Sequence, residues 1–244
     1  GNPLIYGSIS IFVVSITAFI IHEKKSQHPV IDLGLFKIRT FSSSIAASLI
    51  SFITMYSPTV LIPFYYEKVL NISAAETGLY LMAFPIAMAV ISPFSGALSD
   101  KIGATILTSS GLVINGIGLI LLANMTLDTP VFLILIYLSL MGLSLGFFQS
   151  PNNSSIMGSV PKNKLGAANG IAQLVKNLGM VIGIAFSSML FTVFYGKDAI
   201  NINNGASFIS STRKVYYIAA ALSFVGAFIS VMRNKKTHNE ASSG

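Results

Sequence analysis

Lys176 is the one charge inside an otherwise apolar stretch, twelve residues beyond Lys164 and so about 18 Å along a helix from the nearest basic loop. A cation at that depth is costly to desolvate. Either it works in a wet cleft, or it snorkels outward without touching any solute. Gln173 and Asn177, four residues apart, share a helix face with Lys176 beside them. Groups able to grip a flat apolar molecule recur at helical spacing on three other stretches: Phe52, Tyr56 and Thr59; Tyr80, Phe84 and Met88; Tyr137, Ser144, Phe148 and Gln149. Aromatic rings stack on π systems and attract cations, and Met repacks around varied shapes. The same stripes equally suit lipid contact or helix packing. Asp100, between Gly96 and Gly103 and followed by Lys101, could cap the next helix or pair with a neighbouring helix end. Other chemistry lacks residues. There is no Cys, and His22, His28 and His238 lie in charged loops or the tail, which leaves no metal site, no thiol nucleophile and no acid–base cluster. We therefore expect neither catalytic residues nor metal ligands, and no enzyme. No carboxylate falls at membrane depth, because Glu67 and Glu76 flank a loop and Asp100 sits at a face.

The elements that carry these groups are long and apolar. Uncharged runs occur at Leu4–Ile21, Thr40–Tyr66, Thr77–Ser99, Ile102–Leu127, Thr129–Pro161, Asn177–Gly196 and Val215–Met232. About 20 residues of helix cross a bilayer, so seven spanning helices are expected. With 53% apolar and 9% charged residues over 244 positions, a soluble globule and a disordered chain are both excluded. Runs that are apolar on every face are helices, since barrel strands would alternate. Counting loops alternately puts Lys24, Lys25, Lys37, Arg39, Lys101, Lys162, Lys164, Arg233, Lys235 and Lys236 on one side, against Lys68, Lys197, Arg213 and Lys214 on the other. The richer side is cytoplasmic by the positive-inside rule, and the C-terminus with it. The net charge of +7 thus sets orientation and does not imply nucleic acid.

Local expectations follow. Pro58, Pro63, Pro85, Pro93 and Pro151 lie inside runs and should kink them. Gly142/Gly146, Gly166/Gly170 and Gly179/Gly183 allow close helix approach. Tyr65, Tyr66, Tyr216 and Tyr217, with Phe64, are expected at the interface, Tyr195–Arg213 as a long external loop, and Pro29–Thr40 flat on the cytoplasmic surface. The chain opens at Gly1-Asn2-Pro3 with its first run starting outside, which reads as a fragment of something longer.

Three stretches resemble one family. Gly96-Ala-Leu-Ser-Asp100-Lys101-Ile-Gly103 resembles the loop signature of the major facilitator superfamily, Gly-x-Leu-Ala-Asp-Arg-x-Gly, with Ala104 and Thr105 where basic residues usually follow. Gly166 to Gly183, containing Gln173, Lys176 and Asn177, is similar to the penultimate helix of the fourteen-helix drug:proton antiporters, where an Arg usually stands at Lys176. His28 to Phe41 is similar to the cytoplasmic linker that leads into their C-terminal bundle.

The resemblance implies an all-α polytopic membrane protein: the C-terminal six-helix bundle of such a transporter plus one preceding linker helix. It divides the chain into a linker helix and interfacial segment over 1–40, the bundle over 41–232 and a cytoplasmic tail over 233–244. It implies proton-coupled multidrug efflux by alternating access in the bacterial cell membrane, with no cofactor and the proton gradient as energy source. Expected partners are the lipid bilayer, the N-terminal half of the same transporter, which this chain does not hold, and small lipophilic drugs, cationic ones included; no nucleic acid is expected. Gly96, Asp100, Lys101 and Gly103 would form a conformational latch, and any proton-carrying acid would lie in the other half. A carrier for another small solute and a non-transporting truncated remnant stay open beside it.

Overall fold

The computed structural model describes residue 14, residues 32–196 and residues 205–232. The expected first run, Leu4–Ile21, apart from Val14, and the tail 233–244 lie outside the described residues. A 3-10 turn, Leu33–Lys37, leads into α1 (Arg39–Met55) and α2 (Ser57–Phe64), and α2 runs on through a π turn, Tyr65–Val69. Then come α3 (Ala74–Leu81), α4 (Ala83–Ile102), α5 (Ala104–Ala123), α6 (Val131–Gly158), α7 (Leu165–Tyr195) and α8 (Gly205–Met232). End to end they form six spans, Arg39–Val69, Ala74–Ile102, Ala104–Ala123, Val131–Gly158, Lys162–Tyr195 and Gly205–Met232, each long and apolar enough to cross a bilayer. No strand occurs among the described residues. The described chain is an all-α polytopic membrane protein, as hydrocarbon requires of a backbone that must satisfy its own polar groups.

The helices interrupt where proline removes a donor. Tyr56 separates α1 from α2, with Pro58 in the first turn of α2, and Met82 separates α3 from α4, three residues before Pro85. Pro93 and Pro151 instead sit inside unbroken α4 and α6. The Phe147 carbonyl, which Pro151 cannot bond, accepts from the Ser95 hydroxyl of α4 at 3.4 Å.

Cross-bundle contacts fix the up-and-down order. At the basic end, Arg39 Nη2 donates to the Met232 carbonyl at 3.1 Å, and Lys164 pairs with Asp32 at 2.6 Å. At the opposite end, Tyr65 Oη donates to the Thr126 carbonyl at 3.2 Å and Arg213 Nε to the Ala123 carbonyl at 3.0 Å. Lys101 and Lys162 fall at the basic end with these first contacts.

Packing follows a repeat. The third span touches the fourth as the sixth touches the first, and the second touches the fourth as the fifth touches the first; the first meets the fourth, and the third the sixth. Exchanging spans one to three for four to six therefore maps each of these contacts onto another of them. Corresponding spans run in opposite directions, as in inverted repeats. Close glycine contacts fall at both of the exchanged interfaces, on the fourth span in one and on the fifth in the other. A Cβ on Gly142 of α6 would run into the Phe84 carbonyl of α4, and one on Gly183 of α7 into the Ile53 carbonyl of α1.

Several local expectations change. Helix α4 continues through Asp100 to Ile102, so the α4–α5 turn is Gly103 alone, at φ +91°, a conformation that glycine adopts without a Cβ clash. Asp100 is exposed and does not cap α5: the N-cap is Gly103, with no side-chain hydrogen bond. The expected loop Tyr195–Arg213 is shorter, because α8 is already helical from Gly205; Phe208 is buried there between Tyr65 and Phe191, with ring centroids 6.0 and 5.0 Å away. Tyr65, Tyr66 and Tyr216 are core residues, fully buried in that cluster, and only Phe64 and Tyr217 of the expected belt are exposed. No neighbour approaches Gly166 or Gly170. Leu35, in the segment expected flat on the surface, is buried against Phe41, Ile45, Ile156, Ala168 and Ile171, while Phe36 stays exposed.

Candidate functional site

Four of the six spans enclose two adjoining cavities. The one nearer the basic end has a volume of about 330 Å³ and is lined by Ser48 and Phe52 of α1, Met88 and Ser92 of α4, Phe148, Gln149, Asn152 and Asn153 of α6, and Gln173 and Lys176 of α7. The other, about 390 Å³, is lined by Met55, Tyr56, Pro58 and Thr59, by Leu81, Phe84, Pro85 and Met88, by Leu138, Met141, Leu145 and Gln149, and by Phe52 and Lys176. Phe52, Met88, Gln149 and Lys176 line both. Each comes from a different span, so together they form a waist between a polar chamber and an apolar one.

The waist is built from local structure. Gly179 lies one turn beyond Lys176 and brings α7 onto α1, where a Cβ would stand 2.7 Å from Phe52 Cβ. That approach sets the Lys176 ammonium 5.5 Å from the centroid of the Phe52 ring. Such a contact offsets part of the desolvation of a half-buried cation. Among the described residues Lys176 has no carboxylate partner, and no acid lines either chamber. Gly142 and Gly146 bring α6 onto α4 on the other side, beside Phe84 and Met88. Both helix interruptions face the apolar chamber, since Tyr56, Pro58, Leu81 and Pro85 all line it.

A polar frame holds the walls. Asn152 Nδ2 donates to the Ser48 hydroxyl at 2.8 Å and to the Ser44 carbonyl at 3.2 Å, tying α6 to α1. Asn115 of α5, fully buried, donates to Thr54 Oγ1 and Ser223 Oγ, each at 3.0 Å, and so joins α5, α1 and α8 behind the cavity. Ser187 donates to Ser57 at 2.7 Å, which ties α7 to the start of α2. Interhelical bonds of this kind contribute about 1 kcal/mol each in a membrane.

Of the candidate residues from the sequence, Phe52, Tyr56, Thr59, Phe84, Met88, Phe148, Gln149, Gln173 and Lys176 line the chambers. Four do not. Tyr80 packs edge-on against Tyr66, with ring centroids 5.6 Å apart; Tyr137 lies on the core cluster of the opposite end; Ser144 is buried and donates to the Met141 carbonyl at 2.7 Å; Asn177 is exposed off both chambers. Ser48, Ser92 and Met55 were not singled out. The two serines carried a signal, being small polar residues in apolar runs, each one turn from Phe52 or Met88. Asp100 and Lys101 are exposed at the end of α4 with no ion pair among the described residues, and a Cβ on Gly96 would meet Ser150 Oγ at 3.5 Å.

The second and fifth spans close the cavity only in part. Just 6% and 22% of their apolar windows are buried, against 61% for the first and third. The second presents Leu79, Met82, Ile86, Val90 and Phe94 outward, an apolar stripe suited to lipid or to another helix.

Comparison with known proteins places this architecture. The sequence matches the family model described as Major Facilitator Superfamily over residues 44–244. It is 30% identical over 242 residues to the riboflavin transporter RibZ of Clostridioides difficile, covering 99% of this chain and 53% of that protein. It is 27% identical to the multidrug transporter protein MdtP of Bacillus subtilis, covering 74% of this chain and 33% of the relative. The multidrug efflux pump LfrA of Mycolicibacterium smegmatis is also 27% identical, over 77% of this chain and 37% of its own length. The chain thus spans about half or less of these relatives.

Proposed function

Because the chain belongs to the Major Facilitator Superfamily, we propose that it is the C-terminal six-span half of a proton-coupled efflux antiporter that moves small lipophilic drugs by alternating access. The observation that carries this reading is the waist: four residues from four spans, between a polar chamber at the basic end and an apolar one beyond. A solute held there could face either end as the second and fifth spans, little buried within this half, rock against a partner half. The relatives' additional length supports the existence of that half. The basic end, with Lys37, Arg39, Lys101, Lys162 and Lys164, would face the bacterial cytoplasm, and the C-terminus with it. Gly96, Asp100, Lys101 and Gly103, exposed or nearly so at that end, would latch the halves in one state. With no acid in either chamber, the proton-carrying carboxylate belongs to the other half.

Dye efflux and drug susceptibility with the full-length gene test this reading. Wild type should clear dye while a proton gradient stands and stop when it collapses. Lys176→Ala should lose most of that activity, and residues 1–244 expressed alone should give none. Efflux that ignores the gradient, or efflux by residues 1–244 alone, contradicts it.

A second reading, carriage of one defined solute, is favoured by the extent of the RibZ likeness and by the amides Gln149, Asn153 and Gln173 of the polar chamber. Uptake or efflux confined to one compound among a panel of drugs and vitamins would select it.

A further inference from the structure

We propose that Lys176 makes this cavity selective for planar solutes that are anionic or neutral, and selective against lipophilic cations. The inference rests on reading the cavity as the solute pathway and adds the charge class of what passes. Among the described residues Lys176 is the only formally charged one lining either chamber, and it stands at the waist, so a solute in either chamber lies close to it. A site that takes up organic cations needs a carboxylate or free aromatic faces. Here no carboxylate of this half lines the walls, the Phe52 face is already taken by the ammonium, 5.5 Å from its centroid, and the Tyr56 and Phe84 faces open into a chamber that Lys176 also lines. An incoming cation would displace that contact and meet a like charge in a wall of low dielectric, where salt screens weakly.

An anionic aromatic solute meets the opposite situation. The Lys stem is flexible and its ammonium carries three donors, so it can leave the Phe52 ring for a carboxylate or phenolate oxygen and form a charge-assisted bond. The ring plane would then stack among Phe52, Tyr56 and Phe84, while Gln149 and Gln173 supply amide donors and acceptors at its edge. Neutral planar solutes with hydrogen-bonding edges lose only the charge term. Within this half, preference for anion over cation is thus set by one side chain, which makes Lys176 its specificity-determining residue.

The full-length transporter, reconstituted in proteoliposomes, tests this with two planar dyes of similar size class, anionic fluorescein and cationic ethidium. Wild type should move fluorescein in preference to ethidium. In Lys176→Gln the fluorescein-to-ethidium flux ratio should fall by roughly a hundredfold, because one unit charge acting over about 10 Å through an effective dielectric of about 20 favours the anion about tenfold and disfavours the cation about tenfold. Lys176→Arg, which keeps the charge, should hold the ratio near the wild-type value, and Lys176→Glu should invert it. A wild-type ratio that favours ethidium overturns the inference even if no variant assembles, and so does a ratio unmoved in Lys176→Gln. If both dyes move without charge preference, charge selection fails while transport stands; if neither moves, the pathway for aromatic solutes fails and this inference with it.

Discussion

Gly183 of α7 lies so close to α1 that an added Cβ would meet the Ile53 carbonyl and stand 2.9 Å from Ile53 Cα, all of it backbone that no rotamer change can move aside. A Cβ on Gly170, thirteen residues earlier on the same helix, would have nothing within 4 Å. Gly183→Ala should therefore destabilise the protein by about 1–3 kcal/mol through overpacking, whereas Gly170→Ala should be neutral or stabilising by up to about 1 kcal/mol because alanine favours helix. Thermal unfolding in detergent compares the two, and equal shifts would contradict the packing described. The glycine spacing is identical at 166/170, 179/183 and 142/146, so sequence offered all three pairs alike. Which pair meets a helix depends on what lies opposite. Lys176 was legible for the opposite reason: a lone charge in an apolar run stands out without any knowledge of its neighbours. Tyr80 and Tyr137 carried the same aromatic signal as Phe84 and Phe148 but face the core cluster of the opposite end, a distinction that helical spacing alone does not make.

At the scale of elements, the short turn before α1 acts as a strap across the basic end. Asp32 accepts from the Gly34 N–H at 2.8 Å and pairs with Lys164 at 2.6 Å, while Leu35 is buried beneath. The hydrogen bond from the Lys164 ammonium holds the Asp32 carboxyl below the usual carboxylate range, against an opposing push from partial burial, and the Gly34 N–H adds to the lowering. A carboxyl depressed in the folded state contributes stability that is complete above its unfolded pKa and disappears as pH falls through the folded value. The stability difference between wild type and Asp32→Asn should therefore be present at neutral pH and shrink as pH falls below the unfolded carboxyl pKa of about 3.9. A difference that does not change with pH would count against the strap. Charge-free runs located every described span, yet misplaced element ends, because charge marks the edge of hydrocarbon and not of helix. α8 runs through Arg213 and Lys214, and α4 through Asp100 and Lys101, with their charged heads turned to water or to carbonyls at the bundle end. The π turn at Tyr65–Val69 likewise continues a helix past the end of the uncharged run, through Glu67 and Lys68.

The described residues form two three-span repeats of opposite direction around two adjoining chambers, which the second and fifth spans close only in part. The symmetry is legible in the contacts and barely so in the sequence, where two proline- and aromatic-bearing runs were its only trace. Membrane class, span positions and the family could be read from hydropathy, charge placement and three motifs, because those are properties of single segments. The chambers could not, since each is defined by four spans that approach through glycines and are tied by Asn152 and Asn115. The central claim is that solute occupies the waist where the chambers meet. The chain contains no cysteine, so once any cysteines of the other half are replaced, a single Gln149→Cys substitution can report on that position with a membrane-impermeant maleimide applied to the full-length transporter in inside-out vesicles. The account predicts that Gln149→Cys is labelled and that a transported dye slows the labelling in proportion to its occupancy, while a cysteine at outward-facing Val90 is unaffected by dye. Labelling at Gln149 that proceeds at the same rate with and without transported dye would contradict it.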